Sequence, residues 1–344
     1  MYNPYDGDFE ITSIREAQML TTSAFPEFIR KAMYEWVNKG WRGFQTTYQN
    51  LFQLEANFND PIVTFYERAG MATIPIQDEG MPAGGMGIAT QKLLTFEPVK
   101  RRGIIAITEE MVKFDKTREI MDLGNDFGVA QKRTQEKMAW DLMTAPYGQT
   151  TPELNVTSVY QTASSSTKPW INSASGATSL FSGQQLYNTV IAMQRQTDAQ
   201  GNLLGVTPDS MIIPVEAQAA VDQVLDSQWL GFTGSTQKDS LTGPPTKNPY
   251  YGQISEDNVF TSPFFQSFSG STFTSASFPW GVFDLDQGQA WTWLEVEPLT
   301  VLHEQPEAAA SAYFETGAVR MRGGFFGCAA LRNPRFVYLN SPIT

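Results

Sequence analysis

One cysteine, Cys328, and one histidine, His303, are the whole supply of the two residue types that most often build metal and catalytic centres. A lone cysteine excludes an intrachain disulfide, and one residue of each kind cannot furnish a structural zinc site. A single histidine leaves no HExxH pair and only one base for a serine-type triad. Charge is also scarce: 17% of the 344 residues are Asp, Glu, Lys or Arg, against about 25% in ordinary soluble domains. Such a surface suits a chain partly covered by partners. Cations are scarcer still. With 24 Lys+Arg against 36 Asp+Glu the formal charge is -12, the wrong sign for a protein that works by gripping phosphates. No apolar run approaches the roughly 18 residues of a membrane span. The opening MYNPYDGDFE is acidic and polar and does not read as a signal peptide, so a reducing, cytosolic origin is expected.

What is present supports a sizeable core. Hydrophobic residues make up 41% of the chain and aromatics 12%, which excludes wholesale disorder, and the length is a prior for about two domains. The acidity is concentrated. Residues 149–310 hold 15 acidic and 4 basic residues, whereas residues 311–344 hold 1 and 4. Basic parts can therefore meet acidic parts of other copies, or the acidic block is simply a solvated surface.

Along the chain, Phe25, Phe28, Ile29, Met33, Trp36 and Val37 recur at helical spacing behind a polar, extended arm. Residues 62–107 read as a long hairpin. Thr73–Ile76 and Ile88–Val99 flank a tip containing Gly80, Gly84, Gly85 and Gly87, and the second arm runs through Lys100, Arg101 and Arg102 into Gly103–Ile107. No phosphate-binding glycine motif occurs there. Thr108 can cap a turn into Glu109 and Glu110. A long helix follows, with Ile120, Leu123, Phe127, Ala130, Met138 and Leu142 on one face and Lys132, Arg133, Glu136 and Lys137 mainly on the other. Gly124 and Gly128 in its first turns mark a bend or a restart at Asn125; Pro146 and Gly148 end it.

Residues 149–180 are Ser/Thr/Asn/Gln-rich and read as a loop. Ser182 with Gln185 makes a capping box for a helix carrying Leu186, Val190 and Met193. A turn-dense stretch with the spacing DxxGxxLGxxP, Asp198 to Pro208, leads to a buried strand Ser210–Pro214 and a helix Glu216–Leu225. A second loop covers 231–256. Phe278, Trp280, Phe283, Trp291 and Trp293 lie in an aromatic, β-like stretch, and strands return over 312–340.

Three of these stretches together resemble the major capsid proteins of tailed bacteriophages, of the Hong Kong 97 fold type, and most nearly Mu-like head subunits. They are Lys100–Met111 with Phe114-Asp115 and the long helix; Leu186–Pro214; and Tyr313–Arg332. The resemblance implies an α+β fold with an N-terminal arm and helix over 1–60 and an extended hairpin loop over 61–107. It further implies a peripheral domain with the spine helix over 108–148, an axial domain over 149–300 and closing peripheral strands over 301–344. The implied function is a head protein self-assembling into an icosahedral shell around double-stranded DNA, made in the host cytoplasm and ending in the virion. Implied partners are copies of itself as hexamers and pentamers, with portal, scaffolding and decoration proteins. The short N-terminal portion implies an uncleaved subunit. An encapsulin-like or other phage shell protein is the alternative.

No catalytic, cofactor-binding or metal residue is expected. The candidates are interface residues: Lys100, Arg101, Arg102, Arg320, Arg322, Gly84 and Gly85. Arg320 and Arg322 flank Met321 on one side of a strand and can pair with a neighbour or with Glu295 or Glu297. Lys92 has no specified Asn partner for the Lys–Asn crosslink of some relatives. His303 and Cys328 read as packing residues. A carboxylate glycosidase is the contrasting enzyme reading, with Asp284/Asp286 or Glu295/Glu297 as acids and the Trp-rich segment as a sugar platform.

Overall fold

The computed structural model describes residues 25–56, 60–68, 90–114, 119–143, 159–164, 170–176, 180–198, 200–226, 252, 254–265, 278–285, 290–303 and 318–341. Helices α1 (Phe25–Gly43), α2 (Glu109–Phe114), α3 (Glu119–Met143), α4 (Gly183–Gln194) and α5 (Gln218–Leu225) alternate with eleven strands in these residues. The strands are β1 (Phe52–Ala56), β2 (Val63–Arg68), β3 (Thr90–Phe96), β4 (Val99–Thr108), β5 (Ser173–Ser175), β6 (Ser210–Pro214), β7 (Val259–Ser262), β8 (Trp280–Phe283), β9 (Trp291–His303), β10 (Ala318–Leu331) and β11 (Val337–Ser341). They form a four-stranded sheet β1-β9-β10-β4, a five-stranded sheet β5-β11-β8-β6-β7 and a two-stranded ribbon β2-β3.

The chain divides into two compact units. The first takes residues 1–46, 100–135 and 296–326. Its core joins Met33 and Val37 of α1 to Ile107 of β4, Ile120 of α3, Val301 of β9 and Met321 of β10. Met33, Trp36 and Val37 of the expected stripe meet this core, the side chains of Phe25, Phe28 and Ile29 lie outside the described residues, and the helix runs on to Gly43. Gly124 and Gly128 mark no restart at Asn125, since α3 is continuous over 25 residues. Their role is close approach. A Cβ on Gly128 would strike the carbonyl oxygen of Val37, and one on Gly40 would strike that of Asn125. The two helices therefore touch backbone to backbone, and the glycine cost in helix propensity is offset by packing. Gly128→Val is expected to destabilise this unit by about 1–3 kcal/mol through overpacking. Thermal unfolding checks it, and an unchanged midpoint would refute the close contact.

The second unit takes residues 47–99, 136–295 and 327–344. Every residue of β6 is buried, as an inner strand demands; it runs parallel to β7 and antiparallel to β8. Leu186, Val190 and Met193 of α4 and Val221 and Leu225 of α5 pack with Met211, Ile213, Trp280 and Val282 of the sheet. The Ser182 cap forms as expected, its Oγ accepting from the backbone N–H of Gln185 at 3.1 Å. In the following turn, Asp198 Oδ1 accepts from the N–H groups of Gln200 and Asn202 at 2.8 and 2.9 Å. Gly201 and Gly205 supply the positive φ of +84° and +65° that the turn requires. Loop 149–180 contributes core: Val159, Tyr160 and Trp170 are buried. Burial pushes the Tyr160 hydroxyl up, while it accepts from Trp291 Nε1 at 3.1 Å.

Two further readings are corrected. Glu136 is not on a solvent face; it is 2% exposed. Its carboxylate accepts from the backbone N–H groups of Thr47 and Tyr48, from the Thr47 hydroxyl and from Trp140 Nε1. The hairpin also closes early. The β2-β3 ladder runs from Arg68↔Thr90 to Val63↔Phe96, and after Glu97-Pro98 the chain leaves for a different sheet as β4. Proline removes a ladder donor, and it ends the ribbon here. The expected strand Thr73–Ile76, the glycines at 80, 84, 85 and 87, Pro146, Gly148, Ala312–Glu315 and most of loop 231–256 lie outside the described residues.

Candidate subunit interface

The basic triplet sits on β4, the last strand of the four-stranded sheet, with β10 beside it and β9 one strand further. Alternation directs Lys100 and Arg102 to one side of the sheet. Both reach Glu297 of β9: Arg102 Nη2 lies 2.9 Å from Oε2 and Lys100 Nζ 3.5 Å from Oε1. Lys100 Nζ also stands 5.1 Å from the ring centroid of Phe326 on β10, within cation–π range. The hydrogen bond from Arg102, with Lys100 beside it, holds the Glu297 carboxyl below its usual range. That contribution is present at neutral pH and is lost as pH falls through the lowered value. Exposed bridges of this kind add little to stability.

Arg320 and Arg322 are exposed on β10, with Met321 between them buried in the core. The partner on Glu297 is therefore the β4 pair, and among the described residues no ion pair joins Glu297 to Arg320 or Arg322. Ile104, 67% exposed, adds an apolar residue to β4. Gly84 and Gly85 lie outside the described residues. The side chain of Lys92 lies outside them too, although its backbone pairs with Tyr66; so does the side chain of His303. Cys328 is buried, and burial pushes its thiol up to about 12, so at neutral pH it stays protonated and unreactive.

The sugar-platform reading fails on burial. Trp280, Trp291 and Trp293 are at most 2% exposed and cannot stack on a saccharide. Asp284 is fully buried and accepts from the N–H of Thr207 at 3.0 Å, a structural role; Asp286 lies outside the described residues. Glu297 is occupied by Lys100 and Arg102. Among the described residues no cluster of three or more His, Cys, Asp or Glu is placed to hold a metal ion.

Sequence reasoning missed the other side of the sheet. There Gly103 packs against Phe127 and Gly323 against Gln131 and Phe127 of α3, Gly324 lets β10 approach the backbone of β4, and a hollow of 240 Å³ opens beside them. The adjacent glycines inside a strand pattern were the available signal, since such glycines often mark a close backbone approach or a ligand.

A family model described as phage capsid protein matches residues 93–340, from the ribbon through β4, the long helix and both sheets. No curated protein matches the chain. Among solved structures, the mature capsid of bacteriophage PhiM1 matches with a TM-score of 0.52 at 11% identity, over 87% of either chain. The capsid of a native GTA particle matches with 0.51 at 12% identity, over 86% of this chain and 89% of that one. The capsid of cyanophage P-SCSP1u matches with 0.50 at 12% identity, over 86% and 88%. At such identities the structures speak for the fold, and the family model speaks for membership. Spanning well over half of the sequence, it establishes that the chain belongs to the phage capsid protein family, a shell-forming major capsid protein of the virion with the Hong Kong 97-type α+β fold.

Proposed function

We propose that this capsid protein builds its shell as hexamers and pentamers of one chain, joined in part along β4, and that it works without catalysis or cofactor. Capsid-family membership over residues 93–340 is the observation that carries the reading. The unit containing α1 and the first part of α3 is assigned as the peripheral domain. The unit containing the five-stranded sheet is assigned as the axial domain, and β2-β3 as the stem of the extended loop. Portal, scaffolding and decoration proteins are the further partners, and assembly takes place in the host cytoplasm. The enclosed DNA is contained rather than gripped, as the charge of -12 favours.

Residues Lys100, Arg101, Arg102, Arg320 and Arg322 are assigned to contacts between copies. An edge strand with three cations in a row also resists unwanted pairing, so the assignment needs a test that separates the two roles. The variant Lys100→Glu/Arg101→Glu/Arg102→Glu is expected to fold, by circular dichroism of the soluble subunit, and to lose particles by sedimentation. Glu297→Gln breaks the intrachain bridges while keeping the cations, and is expected to assemble. A normal particle yield from the triple variant would withdraw the assignment.

A further inference from the structure

The side of the four-stranded sheet that faces away from α1 and α3 is open. Three strands agree on this. Ile107 of β4, Val301 of β9 and Met321 of β10 are buried in one core with α1 and α3, so their neighbours in sequence point the other way. There Ile104 is 67% and Leu302 52% exposed, and Arg102, Thr300, Arg320 and Arg322 are exposed as well. Because β10 lies between β4 and β9, the two arginines of β10 stand in the middle of the face, with Ile104 and Leu302 on the flanking strands. Glu297 takes up Lys100 and Arg102. Arg320 and Arg322 have no ion-pair or hydrogen-bond partner among the described residues. Two positions apart on one strand, they are spaced by about 7 Å.

The chain carries a segment of matching pattern. Ahead of α1, Asp6-Gly7-Asp8-Phe9-Glu10-Ile11 alternates acid with non-acid. When extended, it sets Asp6, Asp8 and Glu10 on one side at the same spacing of about 7 Å. Arg15 is the only basic side chain before Phe25. From Phe25 the chain enters α1, whose Met33 and Val37 pack on the covered side of this same sheet. Residues 12–24 can span about 45 Å, more than the roughly 33 Å of a ten-residue strand such as β4. On that tether the segment meets its own sheet at an effective concentration on the order of millimolar, which favours it over the same segment of another copy.

We propose that residues 6–11 cover this face of their own chain in the free subunit, with Asp8 and Glu10 paired to Arg320 and Arg322. Carboxylate meets guanidinium in the geometry that suits both, between apolar neighbours that exclude water. The covered surface is the one assigned to contacts between copies, so assembly displaces the segment. That consequence rests on the interface assignment of Arg320 and Arg322; the cover itself does not.

Crosslinking tests the cover. Cys328 is buried, so cysteines placed on the surface react selectively. Asp6→Cys/Thr300→Cys keeps both arginines and both paired carboxylates. A short bismaleimide added to the dilute full-length subunit is expected to join the two positions within one chain, shown by monomer mass in denaturing electrophoresis and by peptide mapping. Adding Asp8→Arg/Glu10→Arg is expected to lower the linked fraction about tenfold, as two attractive pairs become repulsive. Adding Arg320→Glu/Arg322→Glu to that chain restores complementarity, and the link is expected to return. No link in the first chain, a link between chains, or a linked fraction indifferent to both reversals overturns the cover; a link between chains makes a second copy the occupant. Assembly reads the consequence. Asp8→Arg/Glu10→Arg alone is expected to shorten the lag before particles form, by light scattering. An unchanged or longer lag, or loss of particles, overturns displacement. If the unchanged chain gives no particles, the interface assignment falls, while the crosslink still decides the cover.

Discussion

Replacing Glu136 by Ala is expected to cost at least about 3 kcal/mol of stability, because it strands several buried donors at once. The carboxylate is 2% exposed and holds the N–H groups of Thr47 at 3.0 Å and Tyr48 at 3.3 Å, and Trp140 Nε1 at 2.8 Å. Thr47 and Tyr48 begin the segment that leads through the 3-10 turn Tyr48–Asn50 into β1. Glu136 and Trp140 stand one turn apart on α3. The side chain therefore ties the entry to β1 onto the long helix. Beneath it, Tyr48 lies 5.1 Å from the ring of Trp293, and Phe52 6.0 Å from that of Trp291. Loss of the tie also loosens β1, which pairs in parallel with the first residues of β9. Glu136→Gln should be intermediate, since its amide turns one donor toward other donors. Denaturant midpoints of the three proteins check the order; equal stability of Glu136→Ala and the unchanged chain would show that the carboxylate is not the tie.

That this residue read as solvent-facing shows where sequence patterns stop. Apolar periodicity placed α1, α3, α4 and the buried strand β6, because those elements meet a core with one continuous stripe or run. The Ser182–Gln185 cap was legible because it is local. Glu136 sits among Lys132, Arg133 and Lys137, and nothing nearby in sequence reveals that its partners are Thr47 and Tyr48, 89 and 88 positions away. The glycines of α3 were ambiguous for the same reason: their meaning lies in the carbonyls of α1, not in their own helix. The break between β3 and β4 had a visible mark in Pro98, but apolar content runs on from Ile88 to Ile107 and masks it. At the interface the triplet was legible as charge. Its partner Glu297, almost two hundred residues away, became visible only once the sheet was assembled.

Breaking the ion pair near the loop end of the β2-β3 ladder is expected to have the other large effect. Arg335 follows Pro334 in a short 3-10 turn before β11, and its guanidinium pairs with Glu67 of β2 through one hydrogen bond and a second close contact. Nε lies 2.9 Å from Oε1, and Nη2 donates to Oε2 at 3.1 Å. The side chains are 4% and 13% exposed, so solvent screens the pair little. Arg335→Ala would leave a mostly buried carboxylate without its counter-ion, a loss of about 3–5 kcal/mol. Arg335→Lys keeps the charge but not the fork, and should recover only part of it. A two-stranded ribbon is marginal alone, so its direction depends on such an anchor. Amide hydrogen exchange localises the effect: β2 and β3 are expected to exchange faster in both variants, while β6 and β8 stay protected. Particle yield should fall with ribbon protection if the ribbon is the stem by which one subunit reaches the next. Unchanged exchange in β2 and β3 would mean that the ladder holds itself and that the Arg335–Glu67 pair does not set its attitude.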